Sequence, residues 1–302
     1  MRRVTRAALA AAACAAAGAV LTAAGPTRLT PLVSVYADAK EAPLHLPEGV
    51  ACGPKGVVIV GDTGNDRLVR FTYLDRVPGA ASVVQVPQLT APTRVQIGSK
   101  GEIYALDGRQ RRIVHLGADG RFREFVSFEG APAPATIVPK SFVLDAADVI
   151  YALDEFSGRV LVLGPQGKFD RAIPVPQAAG FIADLAVDFE GNLLLVDSVK
   201  RRLFIAAKGA TAFTELGGDL SASVPTLPAS LAASRGLLFV VEGPGSTIDA
   251  FGRDGKFLAR LLAEGRAEGT LEWPAQMCVN EKDEVFVADR DNSRLQIFQL
   301  TR

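Results

Sequence analysis

Six acids recur through the chain, Asp62, Asp107, Asp154, Asp197, Glu242 and Asp289, at intervals of 43 to 47 residues. Five residues after each stands Arg67, Arg112, Arg159, Arg202, Thr247 or Arg294. A carboxylate beside a guanidinium can move protons, but a catalytic acid is needed once. Recurrence assigns these pairs to fastening, through loop hydrogen bonds and a partly screened ion pair. Other reactive arrangements are sparse. His45 and His115 are the only histidines, too few for a histidine-bound zinc unless a third ligand joins them. "GPQGKF" has a lysine after glycine but lacks the longer phosphate-loop spacing and its helix. "DRDNS", residues 289–293, alternates oxygen donors like a calcium loop, yet Arg294 and Leu300 occupy the positions that need glycine and an acid. No G-x-S-x-G elbow and no Cys–His pair occur.

The elements that carry these residues are short strands. Each recurrent acid ends an apolar run ("VVIVGD", "EIYALD", "VIYALD", "NLLLVD", "LLFVVE", "VFVAD"), and each following arginine opens another. A third run precedes the pair, led by proline at 47, 92, 139, 228 and 274, with Ile182 in the remaining repeat. The turns "GADGRF", "GPQGKF" and "GRDGKF" introduce a fourth. Four strands per repeat, six times, is an all-β, six-bladed propeller of four-stranded blades. The sixth repeat ends after its third strand, so residues 29–38 are expected to supply the fourth and close the ring, leaving no free edge.

"VIVGDTGNDRLVRF" (58–71) and "VFVADRDNSRLQIF" (285–298) resemble the NHL-repeat family of six-bladed β-propellers, retaining Asn65 and Asn292; Gln110, Ser157, Lys200 and Gly245 depart from it. The resemblance runs over residues 29–302 and implies the fold; propellers host unrelated functions. It also implies, for secreted members, association with envelope or multihaem cytochrome assemblies. This chain has no C-x-x-C-H of its own.

Repeat alignment places Gly49, Arg94, Ser141, Asp184, Ser230 and Gln276 at the start of the six innermost strands, with Glu48, Thr93 and Lys140 just before them. These side chains are expected to ring one mouth of the central channel. The hairpins "DGRQRR" and "DSVKRR" open on the same face, so Arg109, Arg111, Arg112, Lys200, Arg201 and Arg202 would add a basic sector able to recognise a carboxylate, a haem propionate or an acidic protein surface. Cys52 and Cys278 fall in the innermost strands of the first and last repeats, one residue out of register. They read either as a disulfide across the closure or as two separate buried thiols.

"MRRVTR" followed by a run of small apolar residues reads as a signal peptide, residues 1–24, cleaved near Ala24. An uncleaved anchor and a lipid on Cys14 are the alternatives. Its removal takes away Arg2, Arg3 and Arg6 and no acid, leaving a slightly acidic propeller over residues 25–302 and arguing against a nucleic-acid binder. The sequence expectation is a periplasmic or secreted, monomeric binding or scaffold propeller without cofactor or further membrane span, which presents its top face to a protein partner or ligand. The alternative is a lactonase-like or lyase-like enzyme with calcium or another divalent ion in the channel, where Glu48 and Asp184 are the available carboxylates.

Overall fold

Each apolar run becomes a strand of a twisted antiparallel sheet, and six such sheets form a ring in a computed structural model that describes residues 26–302. The expected signal peptide and Cys14 lie outside the described residues. The blades begin with the innermost strands Gly49–Cys52, Pro92–Ile97, Pro139–Leu144, Ile182–Val187, Pro228–Ser234 and Pro274–Val279. The second strands, such as Ile150–Asp154 and Leu193–Asp197, are buried throughout. Both faces of each are covered by neighbouring blades, so they are apolar runs and not alternating patterns.

The core is correspondingly divided. Six apolar clusters fill the six gaps between adjacent blades; Phe239, Ile248, Met277 and Val287, for example, pack between blades five and six. The outer strands Phe122–Phe125, Phe169–Pro174 and Phe257–Arg260 follow the three Gly turns, where Gly120, Gly167 and Gly255 adopt φ of 78°, 71° and 77°. Glycine takes that left-handed backbone without the clash a Cβ would cause.

Closure follows the sequence expectation. Arg28–Val35 runs antiparallel to Arg294–Thr301, pairing Leu29 with Leu300 and Val35 with Leu295, and completes the sixth blade from the other end of the chain. Beside this seam, the Cys52 and Cys278 Cα atoms lie 6.0 Å apart and the sulfurs are bonded. Tyr73 meets Phe286 edge-on at 5.4 Å across the same gap. Among the described residues no helix is long and apolar enough to cross a membrane.

Candidate functional site at the channel mouth

Innermost strands start on the same face as the hairpins between second and third strands, which defines the top of the ring. The recurrent acids lie beneath that face, fully buried. Each accepts a backbone N–H from the loop leading into its own blade: Asp62 from His45 at 2.7 Å, Asp107 from Thr90 at 3.1 Å, Asp154 from Val138 at 3.0 Å. The remaining blades repeat the clasp, Asp197 with Phe181 at 3.1 Å, Glu242 with Thr226 at 2.8 Å and Asp289 with Glu272 at 2.7 Å. These bonds fix the loops that build the mouth. The ion pair is less regular. Arg67, Arg159 and Arg294 reach their acids at 2.6, 3.2 and 2.7 Å. By contrast Arg112 turns to the Gln88 carbonyl and lies over Phe125, while Arg202 pairs with Glu215. Asp107 and Asp197 are satisfied by backbone donors of their own hairpins instead.

Blade five, which lost its arginine, is rescued by Arg260. Its guanidinium contacts Asp249 at 2.9 Å and Glu242 at 3.1 Å. Burial raises the Asp249 carboxyl to about 7, with Arg260 opposing the shift and Glu242 adding to it. Burial would raise Glu242 too, but hydrogen bonds from Asp249, Thr226 and Thr247 outweigh it and leave that carboxyl below its usual range. Between about pH 4 and pH 7 the folded protein therefore holds a proton on Asp249 that the unfolded chain releases, so this group's contribution falls as pH rises. Wild type should lose roughly 1–3 kcal/mol more than Asp249→Asn between pH 5 and pH 8, read from urea midpoints.

The channel axis is a closed polar network. Asp184 of blade four accepts from the Ser141 hydroxyl of blade three, and from the Ser230 hydroxyl and Leu231 N–H of blade five at 2.7 and 3.0 Å. Leu185 N–H adds a fourth donor at 2.9 Å. Gln276 of blade six places its carbonyl oxygen 3.0 Å from Val50 N and 3.2 Å from Val95 N, tying blades one and two. Arg94 spans the channel from blade two to the opposite blade, donating to the Ala229 carbonyl at 3.0 Å, with Nε 3.9 Å from Asp184. Four of the six expected mouth positions are therefore buried ties between blades or wall positions: Ser141, Asp184, Ser230 and Gln276.

Above this plug lies an open cavity of about 410 Å³ lined by Glu48, Arg94, Arg111, Lys140, Phe181 and Trp273, with Thr93, Ser198, Leu227, Pro228 and Pro244 among the others. Lys140 sits over the Phe181 ring at 3.5 Å and reaches Glu155 at 3.5 Å. Its burial pushes the ammonium below its ordinary pKa, against the pull of Glu155. Glu155 also holds Arg111, and Glu48 is held by Arg290 at 3.0 Å. Of the expected basic sector only Arg111 lines the cavity. Arg109 pairs with Asp66 at 3.0 Å, Arg112 and Arg202 turn to the partners given above, and Lys200 and Arg201 remain on their own hairpin.

Sequence reasoning missed Phe181, Leu227 and Trp273. Their signal was available: each stands directly before the first residue of an innermost strand, in three consecutive repeats.

The two carboxylates expected to hold a divalent ion have other partners. Glu48 is engaged by Arg290, Asp184 is saturated by its donors, and among the described residues no three His, Cys, Asp or Glu side chains converge to hold a metal. His45 lies in the loop leading to blade one, while His115 stacks on Tyr104 at 4.3 Å in blade two.

These features define a six-bladed β-propeller with a plugged axis and an open top cavity. Within it, residues 271–298 match the NHL repeat family model, the resemblance read from the sequence motifs. No curated protein matches the chain in sequence. Solved structures with this fold include a gluconolactonase from Xanthomonas campestris, 17% identical with TM-score 0.63, covering 93% of this chain and 99% of that one. Virginiamycin B lyase from Staphylococcus aureus is 14% identical with TM-score 0.62, covering 91% and 99%. A chain of a nidogen/laminin complex is 17% identical with TM-score 0.60, covering 73% and 81%. At such identities the likeness is one of fold.

Proposed function

We propose that this chain is an extracytoplasmic binding propeller whose channel mouth receives an acidic group of a partner. One observation carries the reading. The cavity offers Arg94, Arg111 and Lys140 for recognition, while the carboxylates and hydroxyls that could do chemistry are engaged in holding the blades together. The basic, apolar start of the chain and the disulfide at the seam support an oxidising compartment. A nidogen/laminin complex on the same fold is in keeping with a protein partner.

Capture of the full-length chain from its own envelope fraction, after mild cross-linking, tests this. Wild type should bring down one stoichiometric partner, and Arg111→Gln with Lys140→Gln should lose it while remaining folded by circular dichroism. Retention of the partner by the double variant would contradict the proposal.

An enzyme is the second reading, favoured by the depressed Lys140 ammonium in an open cavity and by the lactonase and lyase that share the fold. Turnover of gluconolactone that vanishes in Lys140→Met would move the weight to it.

A further inference from the structure

The rim of the mouth divides by chemistry. Before the leading proline of each repeat (Ile182 in blade four) stand Leu46, Ala91, Val138, Phe181, Leu227 and Trp273 in blade order. In blades four, five and six this residue is large, apolar and about half exposed: Phe181 43%, Leu227 52%, Trp273 46%. Single exposed apolar residues are ordinary, but three on consecutive blades around one cavity form a patch. Trp273 holds φ of 50°, a left-handed backbone that bulky residues avoid. Gly243 leaves open the space beside its indole, since a Cβ there would lie 3.2 Å from Trp273 Nε1. The left-handed backbone belongs to the repeat, since the aligned Leu46 and Ala91 hold φ of 47° and 46° and, like Trp273, donate their N–H to a hairpin side chain of the preceding blade; what sets blade six apart is the half-exposed indole carried there.

Across the cavity, blades two and three supply the charge. Arg94 is offset by Asp184 beneath it, and Arg111 and Lys140 share the single carboxylate of Glu155, which leaves that side cationic. Half of the rim thus suits a carboxylate and the other half a bulky apolar side chain, within one opening of about 410 Å³.

Resting on the binding reading above, we propose that the mouth recognises a peptide segment in which an acidic residue sits beside a bulky apolar one. The acid lies against Arg111 and Lys140, exchanging with Glu155. The apolar side chain lies among Phe181, Leu227 and Trp273. The concave, solvent-open shape suits a segment presented by a partner protein, and an aromatic anchor with a charged neighbour is how such contacts concentrate their affinity.

The test is selection of randomised dodecapeptides displayed on phage against the immobilised full-length chain. Sequences with Asp or Glu within two residues of Phe, Tyr, Trp or Leu should be enriched about tenfold, the ratio expected from one good anchor. Trp273→Ala should lose the apolar preference, with Trp273→Phe retaining it. Lys140→Glu with Arg111→Glu should invert the charge preference towards Lys and Arg. No enrichment, enrichment of basic peptides on wild type, or a preference indifferent to all these changes would overturn the proposal. So would retention on phosphatidylglycerol vesicles with no peptide selected, which would mark the rim as lipid-facing. If the native partner is still captured through Arg111 and Lys140 while no such peptide is selected, the binding propeller stands and this ligand class falls.

Discussion

Replacing Cys52 with serine lowers the stability of the ring by about 2–5 kcal/mol, the largest loss expected from any single side chain near the closure. The bond joins residues 226 apart in sequence, so it removes a long loop's worth of freedom from the unfolded chain. It also stands where a propeller is weakest. Blades one and six are joined by the Arg28–Val35 pairing, by side-chain packing around Phe286 and Ile297, and by this bond. Cys278→Ser should cost the same, and the double variant no more than either single one. Chemical denaturation of oxidised and reduced protein checks this: reduction should bring wild type to the level of the variants. Equal stability of oxidised wild type and Cys52→Ser would show that strand pairing and side-chain contacts hold the seam without the bond.

A loss of similar size is expected at the axis. Asp184→Ala leaves the Ser141 and Ser230 hydroxyls and two backbone N–H groups without their acceptor, and strands the Arg94 charge that spans the channel. Removing one partner from a buried charged cluster costs about 3–5 kcal/mol. Asp184→Asn keeps an acceptor and the shape, and should cost only about 1–2 kcal/mol. The difference between the two, measured by urea unfolding, separates the charge from the hydrogen bonds. A loss below ~1 kcal/mol in Asp184→Ala would mean the cluster is not a structural tie.

The fold was legible because the repeat wrote an acid in all six blades, a leading proline in five and the Gly turn in three. The unpartnered N-terminal run then left one way to close the ring. The site was legible only in part. Asp184, Ser141, Ser230 and Gln276 occupy the aligned mouth positions, but six strands converge at the axis, and side chains of the right length satisfy one another there before any ligand could. Arg112 and Arg202 share the repeat position of Arg67, yet Phe125 and Glu215 on the adjacent outer strands offer them other partners. Those outer strands vary between repeats, so the diversion has no sequence signature. Phe181, Leu227 and Trp273 were legible as a position, before three consecutive innermost strands, but not as a surface, because an apolar residue at a strand's start reads as core.

The central claim is that the mouth is where this protein meets its partner. Photo-cross-linking tests it most directly, with benzoylphenylalanine placed at Trp273 on the top rim or at Phe189 on the opposite face of the full-length chain in its own cells. Phe189 is the fair comparison, being an exposed aromatic beside its own cavity. The account predicts a discrete adduct from position 273, weakened by Lys140→Glu, and none from position 189. An adduct from position 189 alone would contradict it and place recognition on the other side of the ring.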